Sequence, residues 1–348
     1  MAVTVFMILL FIFLILIHEF GHFIIAKAFN VKVNEFSVGM GKLLFKKQKG
    51  ETQYSIRAII PVGGYCKLEG EDYDNEDKRS FRNTNPLIKI LIIMAGPFIN
   101  FLFGVLLFTI IHFNMGTSTT IVKQSIPNSP AYELGMKEND VLLSFNDKQI
   151  LQFNDFINEL NLYYMENDSN TPSEISFLRE NEVITKEFKP LYKNNSPFFG
   201  IEVKTQKLNL GQSIKHGFIS SMNIIKDITD SLKALFKNNI NIVNVSGPVG
   251  LINTINNDTK SNSNIFDLLN LMAYISINIF FFNLIPFPLL DGFKIVESII
   301  EIIIGRPIKQ NITTTITTIG AILLIALILT ITIKDLAVMI FSDIINRY

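Results

Sequence analysis

The sequence has few groups that could stabilise a small fold covalently or bind a metal through sulfur. Among its 348 residues Cys66 is the only cysteine, so no internal disulfide can form. A zinc ribbon and a cysteine-ligated cluster are excluded for the same reason. Only four histidines occur, at His18, His22, His112 and His216. Any metal site must therefore draw on these histidines and on carboxylates.

Charged residues are also scarce. They make up 18% of the chain, whereas soluble proteins average about 25%. The 31 basic and 31 acidic residues cancel, so the composition gives no sign of the basic surface that nucleic-acid binding requires. Hydrophobic residues reach 48% and the mean hydropathy is +0.33. These values argue against a disordered chain and against a wholly water-soluble enzyme.

Four apolar stretches are long enough to cross a membrane, because a bilayer core of about 30 Å needs about 20 helical residues. They cover residues 3–29, 87–113, 266–290 and 312–333. The first is unlike a signal peptide, since no Lys or Arg precedes His18 and no small-residue cleavage site follows the stretch. The sequence therefore predicts a polytopic α-helical bundle of about four transmembrane helices.

The basic residues indicate how these helices are oriented. No basic residue precedes the first stretch, whereas five lysines lie within residues 30–49. Because Lys and Arg favour the cytoplasmic side, we expect residues 30–86 to be cytoplasmic. The N-terminus and residues 114–265 are then expected on the outer side of the membrane.

Residues 118–205 resemble a bacterial PDZ domain. The resemblance rests on three pieces of sequence: Ser129-Pro130-Ala131, Leu134-Gly135-Met136 and the run 139–146. They match the turn, short helix and strand of that domain, and patterning predicts a helix at 153–160 and strands at 174–179 and 183–189. PDZ domains add a peptide strand to a sheet edge and often hold its C-terminal carboxylate. A small α+β spacer without a ligand is the alternative.

A further helix is expected after this domain. Apolar residues recur at helical spacing over residues 210–236, which predicts an amphipathic helix that lies on the outer membrane face or packs on the bundle. The Asn- and Ser-rich run 253–264 is predicted to be a loop.

The chemistry of the chain is concentrated in the first apolar stretch, which contains His18-Glu19-Phe20-Gly21-His22. On a helix, residues i and i+4 lie about 6 Å apart along the axis on one face. The two imidazoles can thus bind one Zn²⁺, and Glu19 lies beside them, able to hold the attacking water. Ionisable groups within a span cost about 2.5–3.5 kcal/mol each and are seldom retained without a function. The alternative is a hydrogen-bonded polar seam between helices.

A catalytic zinc site normally has a third protein ligand. His112 is expected at the opposite membrane face and His216 outside the membrane, while Glu297 and Glu301 are interpreted as a cytoplasmic-face pair. Asp291 remains, at the inner end of the third stretch. Prolines just before it break the helix, which lipid tolerates only where the backbone lines a cavity or is buried in protein.

These residues together resemble the site-2 proteases, and within them the bacterial PDZ-containing intramembrane zinc metalloproteases. The resemblance implies that His18, His22 and Asp291 bind one Zn²⁺ and that Glu19 is the catalytic acid/base. It implies a substrate-binding role for the segment from Asn283 to Asp291 and for a membrane-associated β loop. In that role the matching residues are Asn283, Pro286, Pro288, Gly63 and Gly64.

Two further segments match the family. Residues 96–101 resemble its second-span motif and residues 246–250 resemble the segment before its third span. The second-span motif and the β loop also have purely structural alternatives. Gly96 and Asn100 could merely allow close helix packing, and Gly63-Gly64 could be a hairpin turn. Only one PDZ-like domain fits, so gating by a tandem pair is not assumed.

The resemblance also implies the partners and the location. The expected substrates are single-span membrane proteins that another protease has already cleaved, such as an anti-sigma factor, or signal-peptide remnants. The protein is expected in the bacterial cytoplasmic membrane, in contact with the lipid bilayer, with the PDZ-like domain extracytoplasmic and open to a peptide C-terminus. The expected function is regulated intramembrane proteolysis or signal-peptide clearance.

Four regions are predicted on this basis. Residues 1–113 contain the first two transmembrane helices, the histidine motif and the β loop; residues 118–205 form the PDZ-like domain; residues 206–264 form the amphipathic helix and linker; residues 265–348 contain the last two transmembrane helices and the Asp-Gly motif. Two other functions remain possible: a metal or proton transporter, since intramembrane charges also mark ion pathways, and an inactive scaffold.

Overall fold

The computed structural model describes residues 2–71, 73, 77–167, 171–193, 196–236 and 265–345. The chain forms two compact units. One consists of Met1–Thr109 and Ile214–Tyr348, and the other of Ile110–Ser213. The predicted loop at 253–264 and the motif at 246–250 lie outside the described residues.

The first part of the chain has two long helices with a β hairpin between them. Helix α1 covers Ala2–Ala28 and helix α2 covers Pro86–Met115. Strand β1 (Val33–Lys49) pairs antiparallel with β2 (Thr52–Leu68). The middle of β1 has partners on both sides, because its residues 35–38 pair with residues 64–67 and also with residues 53–56. The β loop expected within 30–86 thus forms a compact sheet.

Ion pairs fix this hairpin to the C-terminal end of α1. Glu51, in the turn between the strands, contacts Lys27 Nζ at 2.6 Å and Arg79 Nη1 at 2.8 Å. The hydrogen bonds from Arg79 and Lys27 lower the pKa of Glu51 to about 2. Glu69 is bound by Tyr73 and Lys32, which lower its pKa to about 2. The hairpin therefore keeps a defined position against the helix that contains the histidine motif.

The second unit is an α+β domain. Its sheet has the order β10-β3-β4-β6-β7, with β5 beside β4. Helices α3 (Pro130–Glu133) and α4 (Phe153–Glu166) accompany it, and the core contains the fully buried rings of Phe145, Phe156 and Phe177. The strands are β3 (Thr117–Ser125), β4 (Val141–Phe145), β5 (Lys148–Gln149), β6 (Ser173–Arg179), β7 (Glu182–Phe188) and β10 (Ile201–Gln206), and a separate hairpin is formed by β8 (Leu191–Lys193) and β9 (Ser196–Phe198).

Helix α5 covers Leu210–Phe236, the bounds that the apolar spacing predicts. The helix packs on α2, and its position relative to the membrane stays a prediction. A Cβ on Gly217 would lie 2.6 Å from Thr109 Oγ1 on α2, and the rings of Phe218 and Phe101 meet edge to face at 5.8 Å. Small residues at such a crossing let two helix backbones approach closely.

The last part of the chain corrects one predicted boundary. The third apolar stretch was given as running to about residue 290, with its helix broken by the prolines before Asp291, and helix α6 already ends at Asn283 after beginning at Ile265. The helix stops because Pro286 and Pro288 lack the backbone N–H groups that would continue it. A turn follows, and then two helices: α7, Asp291–Ile304, which was not predicted, and α8, Gln310–Ile345.

Three of these helices are long and apolar enough to cross a membrane. They contain Leu9–Ala28, Pro86–Met115 and Ile265–Asn283, and the next apolar stretch, Gln310–Ala326, is shorter. Only the residues that the structure describes enter this comparison. The number of four spans therefore stays a prediction.

Candidate metal centre and active site

Helices α1 and α2 approach each other most closely at the histidine motif. A Cβ on Gly21 would lie 2.4 Å from the carbonyl oxygen of Ala95, and a Cβ on Gly96 would lie 2.3 Å from Nε2 of His22. Neither position can hold a larger residue unless its neighbours move, because real Cβ atoms do not come within 3.0 Å of other heavy atoms. These two glycines therefore bring the face of α1 that contains both histidines against α2.

Three predicted ligands meet at this point. Nε2 of His18 lies 3.2 Å from Nε2 of His22. Oδ2 of Asp291 lies 3.0 Å from the first of these nitrogens and 3.4 Å from the second. A tetrahedral zinc site with bonds of about 2.0–2.1 Å has ligand atoms about 3.3 Å apart. The three measured separations fit that geometry.

The same atoms fit poorly as a hydrogen-bonded polar seam. Oδ2 of Asp291 is buried and forms no hydrogen bond of acceptable geometry within the described part of the chain. Nδ1 of His22 lies 2.8 Å from the carbonyl oxygen of Ile92 and can donate its proton there, which leaves the Nε2 lone pair directed at the cluster. An imidazole oriented in this way by a carbonyl is typical of a metal ligand.

Asp291 reaches the histidines because of a tight turn between α6 and α7. Leu289 has a left-handed backbone with φ of 85°, a conformation that is strained for a non-glycine residue. A Cβ on Gly292 would lie 2.4 Å from the carbonyl oxygens of Leu284 and Ile285. The chain therefore folds tightly over Gly292, and Asp291 becomes the first residue of α7, where the helix dipole favours a carboxylate.

Glu19 is oriented by the hairpin. Its Oε2 accepts a hydrogen bond of 2.9 Å from the backbone N–H of Cys66 in β2. The Cys66 thiol does not belong to the candidate metal-binding cluster, which among the described residues consists of His18, His22 and Asp291. The sheet thus fixes one oxygen of the predicted acid/base next to the cluster.

These groups line a cavity of about 480 Å³. An ion pair lies at this cavity, between Lys294 of α7 and Glu71 after β2, with Nζ and Oε1 2.5 Å apart. Lys294 was not predicted to be a site residue, although it lies one helical turn after Asp291 and therefore on the same helix face. The lining residues are His18, Glu19, His22, Tyr65, Cys66, Lys67, Leu68, Glu71, Phe81, Ile92, Ile93, Asn283, Leu289, Asp291 and Lys294.

The predicted substrate-binding residues separate into two groups. Asn283 lines the cavity, but Pro286, Pro288, Gly63 and Gly64 are not among its lining residues. Pro288 packs against α8, where a Cβ on Gly320 would lie 2.3 Å from its Cβ.

The two hairpin glycines pass closely over α1. A Cβ on Gly63 would lie 3.1 Å from the side chain of Ile15, and a Cβ on Gly64 would lie 3.2 Å from Cδ2 of Leu16 and 2.4 Å from the carbonyl oxygen of Ser37 in β1. They are within β2, and the turn of the hairpin is at residues 50–51. Gly64 pairs with Val38 there, and β2 folds back between residues 56 and 64. The hairpin-turn alternative for Gly63-Gly64 therefore stays a prediction.

The two carboxylates that were not expected to bind the metal, Glu297 and Glu301, lie elsewhere. Glu301 forms a mostly buried ion pair with Lys89 of α2 at 2.7 Å and accepts a hydrogen bond from the backbone N–H of Ile308. Glu297 and Glu301 line a second cavity of about 240 Å³ with several polar residues. Neither belongs to the cluster formed by His18, His22 and Asp291.

Comparison with known proteins agrees with this chemistry. The profile of peptidase family M50 matches residues 6–327. A protein of Clostridium perfringens named "Putative zinc metalloprotease" is 34% identical over 95% of this chain and 98% of its own length, and one of the same name from Clostridium acetobutylicum is 32% identical over 92% and 94%. The "Probable protease eep" of Enterococcus faecalis is 27% identical over 94% and 97%. The chain belongs to peptidase family M50, the family of the site-2 proteases.

Proposed function

We propose that His18, His22 and Asp291 bind one zinc ion per chain and that Glu19 is the catalytic acid/base. The enzyme is a zinc-dependent intramembrane endopeptidase. The observation that supports these residue roles most strongly is the set of three ligand separations, 3.2, 3.0 and 3.4 Å, with Glu19 next to His18 in the sequence.

The chemistry follows from where these groups lie. Bound zinc would polarise the scissile carbonyl and lower the pKa of a water molecule. Because Cys66 N–H binds Oε2 of Glu19, the other carboxylate oxygen is the one that can take the water proton. Glu19 then delivers this proton to the amine of the departing peptide. The buried imidazole of His22 keeps its orientation throughout, since Ile92 fixes its other nitrogen.

Substrate binding requires an unwound peptide. A helical amide has its carbonyl hydrogen-bonded, so the transmembrane segment must be extended before cleavage. Asn283 lines the cavity and can hydrogen-bond an extended backbone there. We assign Pro286 and Pro288 to shaping the turn that presents Asp291, and Gly63 and Gly64 to the close passage of β2 over α1. These four residues would thus act indirectly, by positioning the strand and the turn that surround the substrate-binding cavity.

The substrates are membrane proteins, and the enzyme is a multi-pass protein of the inner membrane. We further propose that its substrates are single-span proteins already shortened by another protease. The domain at 118–205 would be a PDZ-like module on the outer side of the membrane that admits such substrates, through their new C-terminus or by excluding bulky ectodomains. The predicted division into four regions, 1–113, 118–205, 206–264 and 265–348, is proposed with it.

A transporter is not favoured. The family and the relatives indicate proteolysis, and Glu19 next to a metal ligand has a purpose in hydrolysis that transport does not require. An inactive scaffold is not favoured either, because a scaffold has no need of a complete set of metal ligands.

The test compares variants of single carboxylates. Membrane peptides that accumulate in a strain carrying Glu19→Gln are identified by proteomics and then offered to the purified proteins. Glu19→Gln should retain zinc and lose cleavage, whereas Asp291→Ala should lose both. Glu297→Gln, on the same helix as Asp291 but outside the cluster, should retain zinc. Cleavage at the wild-type rate by Glu19→Gln would show that the role assigned to Glu19 is wrong.

A further inference from the structure

Asn100 of α2 is a buried polar residue next to His18 that the mechanism does not use. Its side chain is fully buried. Its Oδ1 has no hydrogen-bond partner within the described part of the chain, and its Nδ2 lies 3.5 Å from Nδ1 of His18. An amide oxygen buried without a partner costs about 1–3 kcal/mol, so such atoms are rare and need an explanation.

The two histidines differ at their outer nitrogens. Nδ1 of His22 faces a carbonyl oxygen, that of Ile92, so its proton lies on Nδ1 and its Nε2 is free to bind a metal. Nδ1 of His18 faces the amide nitrogen of Asn100. If that nitrogen donated, the proton of neutral His18 would lie on Nε2, the atom directed at the cluster, and His18 could not be a ligand.

Exchanging the oxygen and nitrogen of the Asn100 amide removes the difficulty at His18, and it leaves the amide NH₂ rather than the oxygen without a partner among the described residues. The two atoms differ so little in shape that their assignment follows from the hydrogen-bond network. With the exchange, Oδ1 gains a donor and His18 acquires the same orientation as His22. We propose that Asn100 Oδ1 accepts the proton on His18 Nδ1 and thereby positions His18 Nε2 for zinc. This inference rests on the proposed zinc site.

The helix pairing explains why these residue types occur one turn apart. Gly96 faces His22, since a Cβ there would lie 2.3 Å from its Nε2, and Asn100 faces His18. Because α1 and α2 meet in opposite directions here, one helix face supplies space for the second histidine and an acceptor for the first. Ser276 of α6 donates a 2.8 Å hydrogen bond to the backbone oxygen of Asn100, which fixes its backbone while the amide remains directed at His18.

The separation of 3.5 Å is long, since N–H···O bonds are usually about 2.7–3.2 Å. A ring movement of about half an ångström would close it. Partners in this position typically change metal affinity by about 10–100-fold when they are removed.

The experiment measures zinc affinity by competition with a chelator of known affinity, on the full chain in detergent. Asn100→Leu should raise the zinc Kd by about 10–100-fold. Asn100→Asp, which can only accept, should restore affinity to within a few-fold of the wild type. The matched control is Ser276→Ala, which removes a buried bond to the same residue but not the contact with His18, and it should bind zinc like the wild type.

A second measurement does not need zinc. The ¹⁵N spectrum of the zinc-free protein reports which nitrogen of His18 carries the proton, and Nδ1 is expected in the wild type and in Asn100→Asp. An unchanged Kd for Asn100→Leu, or a Kd for Asn100→Asp as weak as that for Asn100→Leu, would overturn the inference. A proton on Nε2 in the wild type would do the same. If Asn100→Leu does not fold, the result for Asn100→Asp decides alone. Failure of the wild type to bind zinc would instead refute the proposed function.

Discussion

Gly96 offers a sharp test of how the metal site is built, because one methyl group should displace one ligand. In Gly96→Ala the new Cβ would lie 2.3 Å from Nε2 of His22 and 2.5 Å from its Cε1, whereas ordinary contacts begin at 3.4 Å. The imidazole must therefore move by about 1 Å. Zinc–nitrogen bonds are about 2.0–2.1 Å with a tolerance of about 0.2 Å, so a ring moved this far no longer fits the cluster.

The expected loss of zinc affinity is large, and it cannot be explained by a loss of helix stability. Alanine favours a helix over glycine by about 1 kcal/mol, so Gly96→Ala should not lower helix stability by itself. We expect its zinc Kd to rise at least about 100-fold, which corresponds to about 2.7 kcal/mol. Cleavage should be lost in the same proportion at limiting zinc. Chelator competition measures the first quantity and a peptide-cleavage assay the second.

A matched control lies two turns further along α2. A Cβ on Gly104 would lie 2.6 Å from Cδ1 of Ile277, a similar clash with the flexible end of a side chain that binds no metal. Gly104→Ala should therefore retain zinc affinity within a few-fold. If Gly96→Ala binds zinc as tightly as Gly104→Ala, His22 does not hold the position that the ligand cluster requires.

The remaining predictions concern ion pairs outside the cluster. Lys89→Met should lower stability by about 3–5 kcal/mol because it leaves the mostly buried Glu301 carboxylate without its cation, and the double variant with Glu301→Leu should recover most of this loss. Thermal unfolding in detergent measures both variants, and equal losses in the single and the double variant would contradict the reasoning. Glu69→Gln tests the pKa of about 2 that Tyr73 and Lys32 impose. A lowered pKa stabilises the fold above the unfolded value of 4.5 and loses this effect as the pH falls toward 2, so the Tm difference between wild type and Glu69→Gln should be largest above pH 5 and shrink on acidification; a difference that is independent of pH would refute it.

Much of the site could be predicted because its chemistry is local in sequence. His18, Glu19 and His22 lie within one helical turn and a half in an apolar stretch, where three ionisable groups are costly. The proline pair before Asp291 indicates a broken helix, and only a cavity or protein interior tolerates one at membrane depth. Helix α5 was predicted with its observed bounds because its apolar residues follow one helical period without interruption.

The missed features depend on contacts between distant segments. The prolines indicate a broken helix, but they do not show that α6 already ends at Asn283. The hydrogen bond from Cys66 to Glu19 comes from a backbone N–H, which no side chain identifies. The Lys294–Glu71 pair joins residues 223 positions apart. The role of Gly96 was left open in the sequence, since only the position of His22 shows what its missing side chain leaves room for.

The most direct test of the central claim is X-ray absorption at the zinc edge of the purified full-length chain, combined with metal analysis. One zinc per chain, bound by two imidazole nitrogens and at least one carboxylate oxygen, is the predicted result, and Asp291→Asn should change the oxygen contribution alone or abolish binding. A thiolate ligand at about 2.3 Å would contradict the account, and it would have to come from Cys66, the single cysteine. A spectrum with a single imidazole would also contradict it.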